Sequence, residues 1–528
     1  MINAYKVFTM TALAAVFCFS ATAQDSQTTP SGESAETAAP KSYTAAEAKA
    51  EVMKALREKR IAASDIGVLY ELINNGKIPE AIKKINSAGS PAASGTSAST
   101  GNDWPNFLGA NGNGSSPEKG LLRKWPEKGP KELWRAPIGI GWSCPSIAGS
   151  DAVVIMANFV KPSDKPAEGK YEKIVCFDAN TGKKRWEYSY KQDNYYCNWP
   201  QGGPRATPTI TDKNVFAIGM MGVLTCLDRK NGSMVWQADL TKDTCPVADL
   251  TKMDLKAFSA SPVVIDGIIV LPAYKSDKTP MLIGINGATG KTAWTWQDDA
   301  KQDDAKSKKS PKDAGSVSAI TVNGKKLAAT YMNSCLVGLN PADGKAVWKS
   351  EPINGKYKTG LGVPVQNEGK LFYPASFGAA CQVEASTGKV LWKNNIGIIW
   401  GQAVKQNNAY FAIGVTDYSD VFSKYQGWVE CIDENSGAVL WKGDRFTVGC
   451  SIMGADGLLF VRGFKSLMLV DAAKDSYKVL GKMDNMFEAD GKFFDGPSII
   501  GFVMPVIANG KLYVRLPSEL LCLDVKNN

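Results

Sequence analysis

From Asp103 onward the chain alternates short apolar runs with polar turns, and one arrangement keeps returning. Each copy has a short apolar strand, an acidic or amide residue, a turn ending in glycine, and a tryptophan eight positions after the acidic or amide residue. The copies are Asp178/Gly182/Trp186, Asp228/Gly232/Trp236, Asn286/Gly290/Trp294, Asn340/Gly344/Trp348, Glu384/Gly388/Trp392 and Asp433/Gly437/Trp441. A seventh copy is degenerate: Asp471 is followed by Asp475 where glycine is expected and by Val479 where tryptophan is expected. An Asp or Asn side chain accepts from turn amides, and glycine takes the positive φ that other residues resist. The returning strand then sets a large aromatic at a fixed height, suited to filling the gap between neighbouring sheets.

A second series of strand-turn-strand units starts near Pro145, Pro208, Pro262, Ala319, Pro364, Ala403, Ile452 and Pro505. That makes eight inner hairpins against seven outer ones, and the termini supply the remainder. Leu520–Asp524 is the first half of an outer hairpin with no tryptophan after it, and the strand around Trp134 has no acidic strand before it. Joined, they close an eighth blade and leave no open sheet edge. The expectation is an all-β, eight-bladed propeller over residues 103–528, closed by N- and C-terminal strands.

Other segments precede the repeats. Lys6, the apolar Val7–Phe19 and Ala21-Thr22-Ala23 read as a cleaved export signal over residues 1–23. Val16 and Phe17 ahead of Cys18 argue for ordinary cleavage, not lipid attachment. Residues 24–42 are a Ser/Thr/Ala/Pro-rich linker, and residues 89–102 form a second, flexible one. Between them, residues 43–88 predict a small helical segment opened by a Thr44–Glu47 capping box and stopped at Asn74-Asn75-Gly76. It is too small for a strong core, so it docks either on its own propeller or on a partner.

Composition narrows the chemistry. Lys and Arg total 61 against 52 Asp and Glu, with no basic stripe interleaved with aromatics, so a nucleic-acid partner is not expected. There is no histidine, which excludes a haem-attachment motif, any His-containing metal site and a His general base. Cys176, Cys226, Cys431 and Cys522 each lie two residues before a blade acid and read as small buried hydrophobes. Cys197 and Cys245 leave the tryptophan strands of consecutive blades on one face, and form a disulfide or remain two free thiols. Gly109, Gly112 and Gly114 lack the strand and helix of a phosphate cradle.

The loops on the face opposite the glycine turns are aromatic. Tyr195, Tyr196, Trp199, Tyr418 and Trp428 are candidate ligand platforms, and Trp142, Arg205 and Trp400 are candidate cofactor contacts at the channel mouth. The alternative is that long loops fold back and pack their own aromatics.

The run Asp178 to Trp186, Asp-Ala-Asn-Thr-Gly-Lys-Lys-Arg-Trp, resembles the repeat of the pyrroloquinoline quinone (PQQ)-like propeller superfamily. Quinoprotein alcohol dehydrogenases and the outer-membrane assembly scaffold BamB belong to it. The segments Asp103–Gly114 and Gly203–Pro208 resemble an exported bacterial branch without assigned activity. The resemblance implies three functions. The first is a monomeric periplasmic or secreted binding module for a small ligand or envelope protein. The second is an oxidoreductase with PQQ and calcium at the axis and an Asp base. The third is envelope scaffolding with the helical segment as docking arm. Departures weigh on the second: no two cysteines are adjacent, and no motif places a calcium set or a catalytic residue.

Overall fold

The computed structural model describes residues 44–57, 65–81, 102–159, 165–192, 203–244, 258–274, 279–298, 316–353, 362–375, 378–396, 398–415, 426–447, 451–463, 465–486 and 503–527. Contacts divide the chain into two units, Met1–Pro91 and Ala92–Asn528. In the first, helices span Ala45–Arg57 and Asp65–Asn74. The capping box forms: Thr44 N donates to Glu47 Oε2 at 2.8 Å and Glu47 N to Thr44 Oγ1 at 3.3 Å. Ala48, Val52, Leu69, Ile73 and Ala81 make a small core of their own.

The second unit is the eight-bladed propeller. Seven blades run consecutively from the sheet Ser146–Ala148, Asp151–Ala157, Tyr171–Asp178, Lys184–Lys191 to the sheet Ser451–Ala455, Leu458–Arg462, Leu467–Asp471, Val479–Met483. The eighth is composite: Val506–Ala508, Lys511–Arg515 and Glu519–Asp524 are completed by Glu132–Pro137, with Trp134 opposite Cys522. The terminal seam lies where the repeat count put it.

Each turn works as its residues require. Asp178 Oδ1 accepts from Asn180 N and Thr181 N at 3.0 Å, and Asn286 Oδ1 accepts from Ala288 N at 3.0 Å. Gly232 has φ +72°, and a Cβ there would stand 2.5 Å from the Trp186 ring of the preceding blade. Conformation and space therefore both demand glycine.

The other repeat glycines share this arrangement. Gly182, Gly290, Gly344, Gly388 and Gly437 have φ between +69° and +74°. Each packs not against the tryptophan of its own copy but against that of the blade before. A Cβ on each would come within 2.4–2.7 Å of the rings of Trp134, Trp236, Trp294, Trp348 and Trp392 respectively. Spacing along the chain pairs Gly182 with Trp186, whereas in space Gly182 seats Trp134. The repeat glycine is thus an interblade contact as well as a turn residue.

Five of the tryptophans also bond the next blade at one equivalent position through the indole N–H. The acceptor is the carbonyl just after that blade's acidic or amide residue: Trp134 to Ala179, Trp186 to Arg229, Trp236 to Gly287, Trp294 to Pro341 and Trp392 to Glu434, at 2.8–3.2 Å.

Blade seven corrects the sequence reading. Val479 is not the residue at the tryptophan position. The repeat tryptophan lies opposite the residue two before the blade acid, as Trp441 lies opposite Cys431, and in blade seven Leu469 faces Gly481. The turn is longer there: Asp471 N bonds Lys478 O, seven residues on, whereas Asp178 N bonds Lys183 O, five residues on.

The segment before the first blade does more than the sequence indicated. Trp104 exchanges two backbone bonds with Ile147, Ile210 N donates to Pro105 O, and Ser115–Ser116 pair in parallel with Gly454–Ala455. A Cβ on Gly112 or Gly114 would meet the carbonyl of Ala319 or Ala403. These contacts reach the innermost strands of blades one, two, four, six and seven. A run of a dozen residues can do that only by crossing the propeller axis at the end carrying the glycine turns. Asp103 Oδ1 ties the seam there, accepting from Gly149 N at 2.9 Å and Asn509 Nδ2 at 3.2 Å.

Candidate functional site

The opposite end of the propeller carries the connections that run from each outer strand to the next inner strand. Residues 138–142 make that connection between blades eight and one. Ile138 N bonds Ser518 O, and Ile140 pairs with Ala157. Trp142 N donates to Pro204 O at 2.8 Å, from the matching connection into blade two. A side chain at Gly203, where φ is +98°, would stand 2.8 Å from Ile140 O, so only glycine lets the two connections touch. Arg205 is thereby set with its guanidinium carbon 5.4 Å from the Trp142 ring centroid, a cation–π distance. Two of the three predicted cofactor contacts thus come together. Trp400 lies on the strand Ile398–Gln406, and its side chain is outside the described residues.

The repeat residues contribute nothing to this end directly. Gly182, Gly232, Gly290, Gly344, Gly388 and Gly437 lie in the turns joining the third strand of each blade to its outer strand, and their neighbours are interblade tryptophans. They are framework and not site residues.

Beneath the Trp142–Arg205 pair the inner strands are linked around the axis by hydroxyls. Ser146 Oγ donates to Pro208 O, Thr209 Oγ1 to Pro262 O and Ser318 Oγ to Pro364 O, each at 2.5 Å. The prolines that marked the inner hairpins in the sequence therefore serve as acceptors for the preceding blade. Nothing in the sequence pattern announced this.

Two arginines complete this end and were missed by sequence reasoning. Arg462 and Arg515 end the second strands of blades seven and eight and are fully buried, at 0% and 1% exposure. Arg515 Nη1 donates to Ser143 Oγ at 2.6 Å and Ile155 O at 2.9 Å, and Nη2 donates to Gly139 O at 3.1 Å. Arg462 Nη1 donates to the Arg515 carbonyl and to Val503 O. A Cβ on Gly141 would come 2.6 Å from Arg515 Nη2, which places this guanidinium directly beside the Trp142 connection.

Two buried carboxyls belong to the blades themselves. Glu172 accepts from Tyr190 Oη at 2.6 Å and Met220 N at 3.0 Å, joining blades one and two, and burial pushes it up from the usual carboxylate range. Glu430 is pushed up to about 7 by burial, against the opposing pull of Trp428 Nε1 at 3.2 Å and Lys442. Trp428 is not a loop residue: it lies in the strand Gln426–Asp433, buried, with Lys442 and Arg445 over its ring. Tyr195, Tyr196, Trp199, Tyr418, Cys197 and Cys245 lie outside the described residues. Cys176, Cys226, Cys431 and Cys522 are buried and unbridged, as their repeat position predicted.

Among the described residues no three His, Cys, Asp or Glu side chains converge as metal ligands. The carboxylate-rich donor set a calcium ion needs is not assembled by them. Among the described residues, no helix is long and apolar enough to cross a membrane. At the other end, a cavity of about 380 Å³ lies between the crossing segment and blades three and four, lined among others by Asn106, Asn111, Ser261, Ser316 and Ser318.

Known proteins share this architecture. A family model described as outer membrane protein assembly factor BamB matches residues 170–411. The quinohemoprotein alcohol dehydrogenase of Comamonas testosteroni superposes with a TM-score of 0.58 over 84% of each chain, at 12% identity. A europium-containing methanol dehydrogenase superposes with a TM-score of 0.55 over 78% of this chain and 89% of its own, at 14% identity. Tetrathionate hydrolase of Acidithiobacillus ferrooxidans is 26% identical over 111 residues, which is 20% of this chain and 19% of that protein, so the match spans about a fifth of either. At these identities the solved structures speak for the fold alone. The tryptophan repeat, the composite eighth blade and the family match over residues 170–411, just under half of the chain, agree on an eight-bladed propeller that resembles those of the PQQ-like superfamily.

Proposed function

We propose that this protein is an exported binding propeller, holding a flat or anionic ligand at the axial end where Arg205 lies over Trp142. The observation that carries this reading is that pair, fixed by two backbone connections that touch only because Gly203 has no side chain. An aromatic face backed by a guanidinium offers stacking and charge to a planar anion, and the connections hold both groups before any ligand arrives. A periplasmic or secreted location follows from the export signal in the sequence.

The test is a titration of the full chain with PQQ, with and without calcium, following quinone absorbance and the unfolding midpoint. Saturable binding that weakens at least tenfold in Trp142→Ala and Arg205→Ala, without reduction of an artificial electron acceptor when alcohols are added, supports a binding module. Dye reduction would replace it with a quinoprotein oxidoreductase. Absence of binding at high micromolar quinone removes both readings for this ligand class. The BamB-type family match over residues 170–411 favours a second reading, an envelope scaffold with a protein partner. Under that reading, deletion of residues 43–88 abolishes capture of an envelope protein while the propeller stays folded.

A further inference from the structure

We propose that Arg462 and Arg515 form a binding site for one small dianion, a sulfate-sized oxyanion or a short dicarboxylate, between blades seven, eight and one. The inference rests on the reading that the Trp142 end of the propeller is its binding end. The two guanidiniums occupy the same register of adjacent blades, and each reaches into the blade that follows. Among the described residues neither meets a carboxylate: the ionisable groups acting on them there are Arg462, on Arg515, and the Cys144 thiol, itself pushed up by burial. Arginine stays protonated even when burial disfavours its charge, so two full positive charges lie side by side out of water. An uncompensated buried ion costs several kcal/mol even after relaxation, and carbonyl dipoles offset only part of that.

The remaining donors show where an anion would go. Arg462 spends Nη1 on carbonyls, while its Nε and Nη2 are buried without a partner. Those two N–H groups form the parallel edge that a carboxylate or sulfate accepts in bidentate fashion. Arg515 Nε is a third buried donor without a partner. One singly charged ion would leave half the charge uncompensated, whereas a dianion neutralises both arginines. The adjoining Ser143 and Gly139 carbonyls are already taken by Arg515, so the pair is held in place by protein and not by the ligand.

The experiment measures the unfolding midpoint and the heat of titration of the full chain with sodium sulfate and, separately, sodium succinate, against sodium chloride at matched ionic strength. Sulfate stabilises proteins generally, so the reference is the Arg462→Met/Arg515→Met double variant, which also removes two buried charges and is expected to fold. The expected result is a saturable rise and a titration heat in the wild type, with affinity at least tenfold weaker in the double variant and intermediate in Arg515→Lys. Response to sulfate alone assigns an oxyanion, and response to succinate alone assigns a dicarboxylate. Wild-type behaviour that does not saturate, or that matches the double variant, overturns the proposal. Should the double variant fail to fold, absence of saturable heat in the wild type overturns it equally. Trp142→Ala separates the two readings: it leaves the sulfate response intact while removing quinone binding.

Discussion

Trp125 occupies the space above Gly481. A Cβ on Gly481 would fall 2.7 Å from Trp125 Cβ and 2.9 Å from its Cγ, so this indole, from the segment before the first blade, stands where the repeat tryptophan of blade seven would project. Its contact with Phe460 is the same one the other blades make. Trp125 and Phe460 have ring centroids 6.1 Å apart, against 5.8 Å for Trp441 and Phe411, 5.7 Å for Trp392 and Phe372, and 5.9 Å for Trp134 and Tyr513. The degenerate repeat is therefore repaired in trans within the chain. Replacing Trp125 by Ala opens a core cavity between blades seven and eight and should cost about 3–5 kcal/mol, as for other buried large-to-small changes. Denaturant unfolding of Trp125→Ala beside Trp441→Ala checks this; a cost under about 1 kcal/mol for Trp125 would contradict the substitution of one tryptophan by the other.

The indole hydrogen bonds divide the repeat tryptophans into two kinds. Trp294 Nε1 donates to Pro341 O at 2.8 Å, whereas Trp348 Nε1 is buried without a partner. Trp294→Phe leaves a buried carbonyl unpaired and should destabilise by about 1–2 kcal/mol beyond the lost contact area. Trp348→Phe removes an unsatisfied donor and should cost clearly less. Paired urea melts of the two variants measure the difference; equal costs would mean that the bond carries no net weight.

Asp103 links the first and last blades through one carboxylate oxygen, which accepts from Gly149 N and Asn509 Nδ2. Removing it takes the acceptor from the Gly149 amide in a part-buried bond, a loss of about 1 kcal/mol. Asp103→Ala should accordingly speed amide hydrogen exchange at Gly149 and the Val506–Ala508 strand before it affects blades three to five. Uniform loss of protection around the ring would place the effect elsewhere.

The fold was legible because it is written many times over. Glycine and tryptophan at one spacing give the blade, and the unpaired half-hairpins at the two ends give the closure through Trp134 and Cys522. Spacing is local, however, and two features escape it. A turn two residues longer moves the tryptophan position of blade seven from Val479 to Gly481, and only strand register reveals it. Gly182 and Gly437 sit four residues before Trp186 and Trp441, yet their neighbours in space are Trp134 and Trp392, from the blades before. The site was legible in part. Trp142 and Arg205 stood out as a loop aromatic and a loop cation. Arg462 and Arg515 sit in apolar strands, where a terminal arginine reads as a solvated strand end. Their burial is produced by neighbouring blades that the local sequence does not contain.

The pH dependence of stability should have two limbs with separate owners. Glu430 titrates at about 7 in the folded chain because burial disfavours its charge, well above the ordinary glutamate value. The folded state therefore binds the extra proton. Its contribution is complete below about pH 4.5 and is lost as pH rises to about 7, amounting to roughly 3 kcal/mol. Asp433 has the opposite sign. Lys474, with amides of the Asn435–Ser436 turn, holds its carboxyl down at about 2, so its contribution is present above the ordinary aspartate range and disappears as pH falls toward 2. Glu430→Gln should flatten the limb between about pH 4.5 and 7 and leave the acid limb in place. Asp433→Asn should do the reverse. Urea midpoints of the three proteins between pH 2.5 and 8 separate the two groups, and an unchanged neutral limb in Glu430→Gln would assign that slope to another buried acid, Glu172 first among them.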